Sequence, residues 1–582
     1  MRVLVPPSVT ASILLLGVVA CDTDTSNDTS PQAWSPDLVC PGDPSGGCDD
    51  VDGAALMAGA AKASIVPDCY EVWLPEGDDY MYTEGTDAFE DCGCDRLCPD
   101  DAGYPGPDDG EGDGELQAVW LAGFGNTRAA TGVRGVEHGL RGEGDGLWAR
   151  ALVLEQGNTT LAVVTLDLIG VFHDRVDEMN VALADAGLDV DHLLIHSLHN
   201  HEGPDTMGMW GQSIVRSGVN PDYTLQVRET VVEVVGAALA DLRQVELSVG
   251  EVDVASYSAE KGVNNVIRDG RDPWIVDNTL AALRLAEPGG ATVATVVAWD
   301  NHPEAMSDEN TLMTSDFVHA LRETVESGVG WASYDRDGLG GTCLFLNGAV
   351  GGMMTPLGVN PTDPDGVSWG SNGWEKTDAI GQLLGEMALD AIEGGEVQAA
   401  PKLSFAVQGF ELPVENHGFQ AMMSIGIFDR VPGCYDPEED IDEDNLPCLA
   451  TEVGVYELGG VRMLAVPGEL LPELAIGGYD GSQVNVPGRA LVDAGNSNPP
   501  DLEAAPEGPY LLDKLGGEYG FIIGLGNDEV GYIIPPYNFV LNEDVPWLLE
   551  AGGDHYEETN SLGPQTAPLI EAQVDLLLGF LG

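Results

Sequence analysis

The sequence predicts an α/β protein of layered sheets covered by helices, an αββα-like stack, with a disulfide-rich insertion near its amino terminus. Three observations carry this. Apolar runs of strand length alternate with segments of helical spacing. The 582 residues are 43% hydrophobic and include 11 Trp, 15 Tyr and 12 Phe, which supports a large core and excludes a disordered acidic chain. Six cysteines, Cys40, Cys48, Cys69, Cys92, Cys94 and Cys98, cluster early.

At the amino terminus, Arg2 precedes the apolar run Ala11–Ala20, which stops directly before Cys21. A charged start, a short apolar centre and a small-residue junction mark a secretory signal, and the run is too short to span a bilayer. Val18-Val19-Ala20-Cys21 also resembles a bacterial lipobox. Residues 1–20 are therefore expected to be removed and Cys21 to carry lipid; an ordinary signal peptide with a coincidental cysteine is the alternative. Either reading exports the chain, to the periplasm or the cell surface, and the lipid would hold it to a membrane. Residues 21–55 read as a polar tether running into the Cys-rich region, and 56–582 as the globular domain, interrupted at about 70–117 by a Cys-rich and acidic insertion.

Exported chains keep disulfides. The six early cysteines and the pair Cys434 and Cys448 make even numbers, which leaves Cys343 as a buried thiol. Six cysteines allow 15 connectivities, so no pairing follows from the sequence. Zinc binding by the early cluster is the alternative.

From Val119 onward the elements alternate. Ala151–Glu155, Leu161–Leu168 and His192–Ser197 are strands, with a helix over His173–Gly187 on Val176, Met179 and Leu183. Pro221–Arg243 is the clearest helix, with Val227, Val231, Ala238 and Leu242 on one face. Val245–Val254 alternates as a half-exposed strand, and Ala291–Trp299 and Cys343–Leu346 are buried ones. Val453–Leu458 and Val461–Val466 flank Gly459-Gly460, a two-residue hairpin signal.

Charge narrows the partners. With 23 Lys+Arg against 98 Asp+Glu the formal net charge is −75. Phosphate neutralisation needs cations this chain lacks, so nucleic acid is excluded and anionic lipid heads are disfavoured. The acidic run Asp436–Asp444 suggests a Ca2+ site or, more plainly, a solvated loop.

The chemistry gathers around histidine. Only 10 occur, yet His192, His196, His199 and His201 fall within ten residues. Period-2 spacing puts His199 and His201 on one face of a strand end, before Gly203-Pro204 breaks it, and metal sites use such pairs. A pair of surface histidines is the plain alternative. Pro467-Gly468 likewise stops a strand and presents Glu469, either a helix cap or a metal ligand.

These segments, in order, resemble the neutral/alkaline ceramidases, zinc-dependent amidases that cleave the N-acyl bond of ceramide. His199-Asn-His-Glu-Gly-Pro-Asp-Thr206 is similar to the family's HTHSGPGG. Residues 58–67 resemble its opening strand, 146–151 its LYARA strand, 300–303 its HPT segment and 314–317 its SDN or SADF segment. Residues 344–351 resemble its strand leading to QGAAGD, 467–469 its PGE and 524–532 its GLSNxYxxY. The likeness spans roughly residues 56 to 560. It implies one zinc ion held by His201, Glu469 and Tyr532, a catalytic Ser315, and His199 and His302 orienting water or passing a proton. Ser315 as a helix cap, Tyr532 as a packed sheet residue and Glu529 as a further ligand stay open.

The likeness also frays. The family's first zinc histidine precedes the LYARA strand; here Arg134 follows Gly132-Val133, so either His138 or Asp145 takes that place, or the ligand is missing. Gly352 stands where the family has an aspartate, and its carboxy-terminal immunoglobulin-like domain is not matched. The sequence therefore predicts an exported, zinc-dependent hydrolase of an amide in a lipid-like or related small molecule. The alternatives are an esterase or other hydrolase on the same scaffold, or a non-catalytic surface protein keeping a structural metal.

Overall fold

In the computed structural model, residues 35–581 are described apart from 43–47, 49–52, 76–79, 136–144, 399 and 443. The expected signal, Cys21 and His138 lie outside the described residues. The chain separates into residues 1–35 and a unit of 36–582, and the second unit carries every sheet and helix among the described residues.

Three five-stranded sheets, one more than the expected stack, share a single core. The first runs in the order His192–Ser197, Thr159–Leu166, Trp148–Gln156, Met57–Ser64, Arg243–Gln244. The second runs Thr342–Leu346, Thr292–Ala298, Thr279–Ala286, Glu246–Asp253, Glu396–Gln398. The third runs Leu38–Cys40, Leu403–Pro413, Cys448–Leu458, Val461–Ala465, Tyr519–Ile523.

Strand alternation sorts side chains between the common core and the outer helices. Leu152 and Leu154 point inward, with Leu283, Leu285 and Leu344 of the second sheet and Phe405, Tyr456 and Ile523 of the third. Ala151 and Val153 point outward, where Val227, Val231 and Val235 of helix Pro221–Ala240 cover them. Cys343 and Phe345 lie under helices Phe317–Ser327 and Trp374–Gly394. Leu464 and Ile522 lie under helix Thr566–Leu581. Thr292–Ala298 is buried along its whole length, as an apolar run without alternation requires.

Each sheet contains one parallel pair: Leu161–Leu166 with His192–Ser197, Ala294–Ala298 with Thr342–Leu346, and Val461–Ala465 with Tyr519–Ile523. Ligands in α/β folds collect beyond the carboxyl ends of such strands, and the chain's chemistry-bearing segments follow four of these six ends.

The cysteines pair as Cys40–Cys48, Cys69–Cys94, Cys92–Cys98 and Cys434–Cys448, and Cys343 is a buried free thiol. In the Cys-rich insertion Trp73 and Tyr82 pack on Ala129, and the Trp73 indole donates to the Ala129 carbonyl. Among the described residues no helix is long and apolar enough to cross a membrane.

Candidate active site

Two segments leave adjacent sheets and meet. Strand His192–Ser197 runs on into His199, whose φ of 61° is rare for a side chain with a Cβ, so the surrounding contacts must hold it there. The Asn200 amide beside it supplies two of them, donating to the carbonyls of Asp167 and Thr314. Strand Thr292–Ala298 runs on into His302. The His199 and His302 rings lie 4.8 Å apart between centroids, and His201 lies 5.0 and 5.4 Å from them. Each of the three rings brings a nitrogen within 4.8 Å of the others, and all three are buried.

Hydrogen bonds fix two of the rings. His199 Nδ1 lies 2.8 Å from the Ile169 carbonyl and His302 Nδ1 lies 2.7 Å from the Met354 carbonyl. A carbonyl can only accept, so Nδ1 carries the proton in both and each Nε2 presents a lone pair, the arrangement metal-binding histidines use. Glu469 Oε2 sits 3.4 Å from His199 Nε2 and 3.2 Å from His302 Nε2. Burial lowers the pKa of all three histidines, which keeps them neutral and able to ligate.

Glu469 and Tyr532 are brought together by a short parallel bridge in which they are register partners. The Tyr532 hydroxyl lies beside the Glu469 carboxyl and donates to Met353 Sδ at 3.4 Å. Burial raises the Glu469 carboxyl to about 8. An anion so disfavoured when alone is what a cation at this place would relieve.

His201 differs from its neighbours. Neither ring nitrogen makes a hydrogen bond, and Nδ1 lies 3.3 Å from Glu304 Oε2. Its ring is packed edge-on against Phe124 and lies over Gly123, whose φ is +96°. A Cβ at Gly123 would come within 2.3 Å of His201 Cγ. Arg128, fully buried, donates to the His201 carbonyl and pairs with Glu202 at 2.7 Å.

His199 and His201 open onto a cleft. His199, His201, Glu469, Glu529 and Tyr532 line one part of it, and Phe172, Met207, Trp210, Phe419, Phe428 and Leu449 make the rest largely apolar.

Against known proteins, no family model and no curated protein matches the chain in sequence. Solved structures do match in shape. Neutral ceramidase from Pseudomonas aeruginosa superposes with a TM-score of 0.55 at 15% identity, over 91% of this chain and 75% of that one. A ceramidase complexed with C2 superposes with a TM-score of 0.57 at 13% identity, over the same shares. The chain has the neutral ceramidase fold.

Within this ceramidase-like fold the structure brings together five of the expected site residues: His199, His201, His302, Glu469 and Tyr532. It does not bring Asp145 to them. That carboxyl pairs with Arg134 at 3.1 Å and accepts the Thr314 hydroxyl at 3.0 Å, and burial raises it to about 7. Ser315 is fully buried, its hydroxyl unpartnered, and it is not among the residues lining the cleft. The cap of the following helix is Asp316, which accepts from the Phe317 amide, so the capping role weighed for Ser315 belongs to its neighbour. The acidic run near Asp436 is an exposed loop closed by Cys434–Cys448.

Sequence reasoning missed Glu304 and Gly123. Glu304 directly follows the Asp300–Pro303 segment and could have been found there. Gly123 carries no local signal, since only the fold lays it under a histidine.

Proposed function

We propose that this chain is a metal-dependent hydrolase of the ceramidase type, cleaving an N-acyl amide of a lipid-like substrate. The observation that carries this reading is a trio of neutral, buried imidazoles beside Glu469, two of which, His199 and His201, line an apolar cleft together with that carboxyl. The donor set fits one zinc ion: two Nε2 lone pairs fixed by backbone carbonyls, a carboxylate between them and a phenol beside it. His199, His302 and Glu469, with Tyr532, would hold it; this gives His199 and His302 the ligand role expected of His201. Zinc there would supply Lewis acidity, lowering the pKa of water towards 7 and polarising a carbonyl.

The chain's own residues do the rest. The apolar wall takes the hydrocarbon part of the substrate and excludes water from it. His201 has both ring nitrogens without a hydrogen bond, and Glu304 Oε2 lies 3.3 Å from its Nδ1. It is therefore the group that takes a proton from water and returns it to the departing amine. Glu304 is itself held by the Thr355 hydroxyl. For Ser315 we propose a positioning role through the segment Thr314–Asp316. The four disulfides support export, and lipid attachment at Cys21 is part of the same proposal.

Metal analysis of the purified protein, with assays on N-dodecanoyl amides and the matching esters before and after chelation, tests the reading. Bound zinc in about one equivalent, amide hydrolysis lost on chelation and its return with zinc are expected. A metal-free protein with no activity on any amide after zinc addition would overturn it.

A further inference from the structure

Asn347, completely buried, follows strand Thr342–Leu346 of the second sheet and ties together the segments that carry His199 and His302. Its Nδ2 donates to the Leu198 carbonyl at 2.8 Å, one residue before His199. Its Oδ1 accepts the Asn301 amide at 2.9 Å, one residue before His302. A carbonyl can only accept and a backbone N–H can only donate, so the partners fix which way the side-chain amide points. Beyond the two histidines, the His201 N–H donates to the Pro303 carbonyl at 3.1 Å. His199 and His302 therefore sit between two ties, and of the two only the Asn347 side chain can be removed by substitution.

The backbone of Asn347 brings in the other sheets. Its N–H donates to His196 Nε2 at 2.9 Å, and its carbonyl accepts the Gly524 amide at 2.9 Å. His196 Nδ1 lies 2.8 Å from the Gly524 carbonyl, so this ring carries its proton there and is used at both nitrogens. His196 belongs to strand His192–Ser197 of the first sheet, and Gly524 follows strand Tyr519–Ile523 of the third. The approach needs a glycine: a Cβ at Gly524 would lie 2.3 Å from the Gly348 carbonyl. One strand end from each of the three sheets thus meets at one asparagine.

A leucine of the same shape would fill this volume. Only an amide joins a carbonyl on one segment to an N–H on the other. We infer that Asn347 is a positioning residue of the candidate metal centre, its side chain setting the separation of His199 and His302 so that both Nε2 atoms stay beside Glu469 Oε2, at 3.4 and 3.2 Å. This rests on the metal-dependent reading of the same histidines and adds the residue that presets their spacing. Groups that orient ligands without touching the ion change metal affinity by about 10–100-fold, because the free energy of ordering the ligands is otherwise subtracted from that of binding.

The test uses the full-length parent, Asn347→Asp and Asn347→Leu. It measures zinc Kd by competition with a chelating dye, the visible spectrum of the Co2+-loaded protein, and kcat and KM on an N-dodecanoyl amide. Asn347→Asp keeps the shape and the bond from Asn301 but sets an acceptor against the Leu198 carbonyl; Asn347→Leu removes both bonds. In each, zinc Kd is expected to rise by about tenfold or more and the Co2+ d–d bands to shift or lose intensity. At saturating zinc, kcat is expected to fall by about tenfold or more with KM within about twofold, since the apolar wall is untouched. A residue that only stabilises the fold would lower the urea midpoint and leave the Kd and the spectrum of the folded protein unchanged. Zinc Kd within about threefold of the parent and an unchanged Co2+ spectrum in the folded variants would therefore overturn the inference. Should Asn347→Leu not fold, Asn347→Asp decides; failure of both to fold with zinc present would assign Asn347 to the core and overturn it too. A parent that binds no zinc overturns both readings. If the parent binds zinc and cleaves no amide while the affinities differ as stated, the hydrolase reading fails and this one stands; cleavage by variants that hold zinc as the parent does gives the reverse.

Discussion

Glu469 and His302, 167 residues apart in the chain, meet at 3.2 Å between Oε2 and Nε2. One follows strand Val461–Ala465 of the third sheet and the other strand Thr292–Ala298 of the second, and the two sheets share a core. With His199 completing the set, removal of any of the three donors is expected to abolish zinc retention. In Glu469→Gln and His302→Ala, zinc per protein after dialysis should fall from about one equivalent to a small fraction, with the circular dichroism spectrum unchanged. Retention of zinc by both variants would place the ion elsewhere.

Gly123 supports His201 by lacking a side chain. Gly123→Ala puts a methyl 2.3 Å from His201 Cγ at a φ of +96°, so the imidazole has to move. Amide hydrolysis should drop by tenfold or more in kcat, at unchanged zinc content, because His201 is assigned to proton transfer and not to the metal. A stability loss of about 1–3 kcal/mol in urea unfolding should accompany it.

The Arg128–Glu202 pair is fully buried on both sides, and Asn310 donates to the same carboxylate oxygen. Arg128→Ala leaves Glu202 buried without its cation, a change that costs about 3–5 kcal/mol. Since burial already raises the Glu202 carboxyl to about 8, the variant should protonate it, and its stability deficit should shrink as pH falls. A deficit independent of pH would show that Glu202 is not the group left unpaired.

Asp145 gives stability a pH dependence of its own. Burial holds its carboxyl at about 7, well above the ordinary aspartate value of 3.8. The folded state then binds a proton more tightly than the unfolded chain between those two values, so this group's contribution falls as pH rises through the window and is at its least favourable above about 7. Asp145→Asn removes the titration. Relative to the parent, it should gain roughly 1–4 kcal/mol between pH 4 and pH 8 in urea unfolding. A difference that does not change with pH would contradict this.

Much of the molecule was legible in the sequence because it is written locally. The apolar run Ala151–Glu155 reflects burial on both faces and the helical spacing of Pro221–Arg243 burial on one, and neighbours along the chain record both. The even cysteine count set Cys343 apart, and the crowding of four of the ten histidines marked the segment that holds His199 and His201. Both lie beyond the strand that ends at Ser197, and His199 has a φ of 61°, so the period of two does not apply to them. Pro467-Gly468 marked the strand stop that presents Glu469. Those features needed no partner from elsewhere in the chain.

What the tertiary structure decided is how distant segments meet. Two backbone carbonyls, of Ile169 and Met354, choose the tautomers of His199 and His302 and so nominate them as ligands, while His201 is left beside Glu304. Arg134 and Thr314 engage Asp145 away from the histidines, and Asp316 takes the helix cap from Ser315. Glu529 is left with an unpartnered oxygen because Arg430 turns to Asp528. No local pattern records such choices: each depends on where strand ends from three sheets come to rest, and packing of the shared core fixes that.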